Sequence, residues 1–182
     1  LIVGSEFAYP GFRLVALARN AQGWGNLCQF ITAARRSAAK GSYQMGPLSD
    51  VQQLQGCELL LVPERTVQNA TDFVAVSALL TSARAQFGLD FWLVAELLLE
   101  PDDDLWLATL QQAGAAVGVP LVAAGDVHMH VRSRKPLQDV ITAVRLGLPV
   151  AQCGFALQPH AERHLRQRVR LAGIYPPELL QA

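Results

Sequence analysis

A chain of 182 residues with 51% hydrophobic and 16% charged side chains suits one domain around a single core, which excludes a disordered or fibrous protein. No apolar run approaches the ~18 residues of a membrane span, and Leu1-Ile2-Val3 leads into Gly4-Ser5-Glu6 without a basic start or cleavage site. No membrane partner and no export are expected, which leaves the cytoplasm as the expected location. The net charge of zero conceals a split: residues 1–127 hold 7 basic and 12 acidic side chains, residues 128–182 hold 8 and 3. A basic end can face a polyanion, although it is as readily a solvated surface. Cys28, Cys57 and Cys153 are odd in number and far apart, which argues against a zinc knuckle or disulfide framework and for reduced thiols.

In chain order, Leu1–Phe7 and Phe12–Ala18 are predicted strands, and Asn20–Ala39 a helix with Trp24, Leu27, Phe30 and Ile31 on one face. After a polar turn at Gly41–Pro47, Cys57–Val62 is a strand, Thr71–Phe87 a helix capped by Thr71 or Asp72, and Phe91–Leu99 a strand. Pro101-Asp102-Asp103-Asp104 starts a helix over Asp103–Val117, because proline suits the first turn and carboxylates complement the positive end of the helix dipole. Gly118 closes it, and Val119–Ala124 is a continuous apolar strand. Gly125–Lys135 is a loop, Pro136–Leu146 a helix stopped by Gly147, and a basic helix is expected near Ala161–Ala172, before a boundary at Pro176-Pro177.

This alternation predicts an α/β fold with a mostly parallel sheet, open or barrel-like, whose chemistry lies beyond the carboxyl ends of the strands. Glu6, Glu64, Glu96 and the Asp126-Val127-His128-Met129-His130 segment all fall at or near strand ends. In an extended chain, Asp126, His128 and His130 share one face. A carboxylate and two imidazoles suit zinc, manganese or iron, and a divalent ion there could activate water for phosphoester hydrolysis. Beside this stands a structural alternative, in which Asp126 caps a turn and the histidines are half-exposed and hydrogen-bonded. The small residues before Glu6 and the apolar one after it suggest an inward-facing acid, whereas Glu64 and Glu96 are better taken as structural.

Several segments resemble, in order and spacing, one family. Gly4-Ser5-Glu6-Phe7, Arg13 to Asn20, Gly23-Trp24-Gly25-Asn26-Leu27-Cys28 and Val119 to His128 are similar to the PHP domain of bacterial C-family DNA polymerases, the polymerase III α type. Gly125 to Arg132, Leu137-Gln138-Asp139, Arg145-Leu146-Gly147 and Glu162-Arg163-His164-Leu165 bring the wording closer to the error-prone, damage-inducible branch. The resemblance implies a partial, distorted (β/α)7 barrel over residues 1–150, lacking its first strands, and a basic, partly helical extension over 151–182 directed toward the polymerase palm. It also implies a strand-end metal cluster that in intact members supports phosphoesterase or proofreading exonuclease activity.

By position, Glu6 matches the family's glutamate ligand, Asp126 and His128 match its closing pair, and His130 is a possible additional ligand. The opening His-x-His motif and the aspartate after it are expected upstream of Leu1. Where the family has a histidine on the second strand, this chain has Arg13, and the histidine expected after the fourth strand is replaced by Leu99 or Glu100. The remaining residues therefore imply the remnant of a cluster, with no catalytic residue and no stoichiometric metal, any that binds being zinc, manganese or magnesium. Arg13 is expected to neutralise Glu6 or Asp126 in place of a cation.

The larger protein would be a DNA-directed DNA polymerase of replication and lesion repair. Within it this segment would be an inactive structural or accessory domain whose partners are the palm, DNA and other replication or mutagenesis proteins. Arg163, Arg166 and Arg170, with Arg168, are candidates for contact with the palm or with DNA phosphates. A metal-dependent phosphoesterase or 3'-5' exonuclease, and a protein-interaction module of the replisome, are the alternatives.

Overall fold

Phe12, Leu14 and Ala16 alternate with less buried neighbours, the period of a strand with one covered face. In the computed structural model, which describes residues 1–66 and 72–181, they form β2 (Phe12–Ala18), hairpinned to β1 (Gly4–Tyr9). The turn between them places Gly11 at φ +82°, a conformation that glycine adopts without steric cost. Helix α1 (Ala21–Arg36) follows, and then β3 (Cys57–Pro63), α2 (Phe73–Phe87), β4 (Trp92–Glu96), α3 (Asp103–Val117) and β5 (Leu121–Ala124). The strands form a five-stranded sheet in the order β1-β2-β3-β4-β5. The pairs β1·β2 and β2·β3 are antiparallel and β3·β4 is parallel. The sheet is thus mixed and not closed, which corrects the expectation of a mostly parallel one: β1, β2 and β3 are successively antiparallel, with α1 between β2 and β3, and β3·β4 is a parallel pair.

Asn20 caps α1, its side chain accepting from Gly23 N at 2.8 Å. The buried stripe of this helix is Gly23, Leu27, Phe30 and Ala34. Trp24 is 48% exposed, contrary to the expected face, because Gly23 sits against the Gly56 backbone. A Cβ at position 23 would lie 2.0 Å from the Gly56 carbonyl oxygen, so this close approach fixes the helix rotation and turns Trp24 aside. Asp72 caps α2 by accepting from Ala75 N, and Gly88 ends it in the left-handed conformation. The alternative cap, Thr71, lies outside the described residues.

The chain divides into two compact units, one of Leu1–Ala95 with Asp104–Val122, the other of Glu96–Asp103 with Ala123–Ala182. The core of the first holds Leu14, Leu27, Leu59, Leu61, Leu80, Phe87, Leu93 and Leu110, all fully buried. The second is built on α4 (Lys135–Leu146), short 3-10 turns, α5 (Arg168–Ala172) and α6 (Pro177–Leu180). Gly147 ends α4 with φ +67°, as the sequence predicts. The basic helix expected over Ala161–Ala172 is reduced to α5. His128 N and Met129 N both donate to Arg163 O, Leu165 N donates to Met129 O, and Met129 bridges His164 in parallel. Arg163 and Leu165 therefore spend backbone groups on a neighbouring segment rather than on a helix. Among the described residues no helix is long and apolar enough to cross a membrane.

Candidate functional site: carboxylates neutralised by arginine

Two sets of polar side chains contain the predicted site residues. The first belongs to the β1·β2 hairpin, where Glu6 faces Val15 and Arg13 faces Ala8. Glu6 and Arg13 are thus diagonal neighbours on one face, and diagonal pairs are within reach of long side chains. The Arg13 Nη1 donates to Glu6 Oε2 at 2.9 Å. This is the face opposite Phe7 and Leu14, and the Glu6 side chain is 49% exposed. The acid expected to point inward is half in water instead.

The second set lies in the second unit. Asp126 has φ +40°, and that left-handed residue breaks the extended alternation assumed for Asp126, His128 and His130. Asp126 and His128 still meet, with His128 Nε2 at 3.1 Å from Asp126 Oδ1, while Met129 is buried and His130 is exposed. The other carboxylate oxygen of Asp126 accepts from Arg163 Nη1. The same nitrogen lies 3.6 Å from Glu96 Oε2. One guanidinium therefore stands between two carboxylates, with side-chain exposures of 20% for Arg163, 20% for Asp126 and 14% for Glu96. The Met129–His164 pairing creates this arrangement, since it sets Arg163 beside the turn at Asp126.

Next to it, Glu162 accepts from Arg132 at 2.9 Å and from Arg166 at 3.1 Å. Burial alone would raise the Glu162 carboxyl, but these hydrogen bonds and the two charges outweigh it and leave the group below its ordinary value. Arg166, only 5% exposed, also donates to Leu97 O at 3.3 Å. Tyr175 ties the same region together: its hydroxyl accepts from Leu97 N at 2.9 Å and donates to Ala124 O at 2.7 Å. Burial raises its pKa, against the lowering effect of the Leu97 bond and of Arg166.

Of the three arginines expected to face the palm or DNA, Arg163 and Arg166 turn their guanidinium groups onto carboxylates of their own unit. Arg170 is exposed. At the positions where the family's later histidine is absent, Leu99 is exposed, and Glu100 pairs with His160 Nε2. Glu96, taken as structural from sequence, is a partner of Arg163. The role of Arg163 itself escaped sequence reasoning, although Glu162-Arg163-His164-Leu165 stood out as a segment. Nothing in spacing alone could pair residues 37 apart.

Among the described residues, no three His, Cys, Asp or Glu side chains gather so as to hold a metal ion. At Asp126 both carboxylate oxygens already face donors, and a guanidinium offers no lone pair to a cation. The donor set does not fit a metal, so no chemistry is routed through one.

These features define an α/β protein in which Glu6 within β1, Glu96 at the end of β4 and Asp126 just after β5 are each held by arginine. No family model matches the chain. It is 42% identical over 190 residues to the error-prone DNA polymerase of Azoarcus sp. (strain BH72), covering 100% of this chain and 17% of the relative. To the error-prone DNA polymerases of Dechloromonas aromatica and Methylococcus capsulatus it is 45% and 46% identical, over 98% and 100% of this chain and again 17% of each relative. The chain is therefore homologous to a segment of the bacterial error-prone DNA polymerases, and it spans 17% of the length of these relatives.

Proposed function

We propose that this chain is the PHP-type domain of an error-prone C-family DNA polymerase, and that it serves the larger protein as a structural and accessory domain without hydrolytic activity of its own. The observation that carries this reading is Arg163, whose guanidinium meets both Asp126 and Glu96. It supplies the positive charge that a cation supplies in metal-bearing members, and Arg13 does the same for Glu6. Glu6, Asp126 and His128 are then the remnant of a metal cluster and His130 a surface residue. The division at residue 150, the palm and DNA as partners, and a cytoplasmic location belong with this reading.

The test is elemental analysis of the purified chain after incubation with zinc or manganese, beside an Asp126→Asn variant and with a phosphodiester hydrolysis assay. No stoichiometric metal and no hydrolysis are expected from either protein. One equivalent of metal that disappears in the variant, with metal-dependent hydrolysis, would establish a working phosphoesterase instead.

A further inference from the structure

The second unit carries an open cleft of about 740 Å3. Its lining includes the aliphatic side chains Leu99, Leu165 and Val169, which are 56%, 63% and 83% exposed. It also includes Arg132, Arg166 and Arg170. Glu162, which does not line the cleft, sets one carboxylate against Arg132 and Arg166. Arg170 adds a further positive charge, and no acidic side chain lines the cleft. His164 lines the cleft as well, and the lining holds no Phe, Tyr or Trp.

A separate observation concerns Leu99. Its φ is +62°, a left-handed conformation that strains a bulky residue. Asp103 Oδ2 holds the backbone there by accepting from Leu99 N at 2.8 Å and Glu100 N at 3.2 Å. Those two hydrogen bonds fix the turn before α3, and the same turn leaves the Leu99 side chain 56% exposed in the lining of the cleft.

We propose that this cleft docks an acidic, aliphatic-rich segment of a partner protein, with carboxylates on Arg132 and Arg170 and leucine-type side chains against Leu99, Leu165 and Val169. Charge complementarity selects the acids, and the exposed Leu99, Leu165 and Val169 select aliphatic side chains beside them, a combination that a peptide supplies and a nucleic acid does not. The inference does not depend on the metal-free reading of Asp126.

The test is fluorescence polarisation of the whole chain with a labelled synthetic peptide of interspersed Leu and Glu. Controls are the same peptide with Ser for Leu, the same with Lys for Glu, and a short oligothymidylate. The Leu/Glu peptide is expected to bind about tenfold tighter than each control. Arg170→Glu should weaken it about tenfold at unchanged thermal midpoint. Leu99→Gly should weaken it similarly while raising the midpoint, since glycine relieves the strained φ. The opposite movements of affinity and stability separate docking from misfolding. Tighter binding of oligothymidylate, equal binding of the Ser peptide, or unchanged affinity in Leu99→Gly would each overturn the proposal.

Discussion

Arg163 shows how one side chain can serve two carboxylates at once. Its planar, permanently charged guanidinium matches carboxylate geometry and is weakly hydrated, so it is suited to a partly buried site between Asp126 and Glu96. Side-chain parity pointed to Asp126 and His128 together, and they do meet. They do so although Asp126 is left-handed, a backbone choice that residue type alone does not announce, and His130 is exposed. Glu162 gives this scale a pH signature. Its carboxyl is lowered in the fold, so the stabilisation is fully present above the ordinary carboxyl value and disappears as pH falls through the lowered one. Thermal midpoints measured from about pH 7 to about pH 3 should fall on the acid side, and Glu162→Gln should flatten part of that fall.

Among the elements, those with a strong local signal were legible. The strand Phe12–Ala18 and the helix Asp103–Val117 have the predicted bounds, the first from its alternation, the second from the proline-aspartate start and the glycine stop. The rotation of α1 was not legible, because it depends on a backbone contact with Gly56. Gly23→Ala is therefore expected to cost about 1–3 kcal/mol in chemical denaturation, by overpacking against a backbone that cannot yield cheaply. Had propensity governed that site, alanine in a helix interior would stabilise instead. The lost first half of the Ala161–Ala172 helix follows the same logic: the hydrogen bonds between residues 128–129 and 163–165 override a basic, helix-compatible stretch.

For the whole molecule, the α/β class was readable from alternation, while the sheet's mixed pairing was not, since short apolar runs do not declare their direction. The chain is 42–46% identical to error-prone DNA polymerases and spans 17% of their length. Its own electrostatic logic is testable. Arg163 in the role of a cation at Asp126 is tested by the thermal midpoint of the chain and of Arg163→Ala, each with zinc, with manganese and with a chelator. A ligand that binds the folded state alone raises the midpoint in proportion to its saturation. No metal response is expected in the parent chain, and Arg163→Ala should lose roughly 1.5–3 kcal/mol, the usual worth of hydrogen bonds to charged groups. A saturable metal-dependent rise in the parent chain, reversed by the chelator and absent in Asp126→Asn, would contradict it.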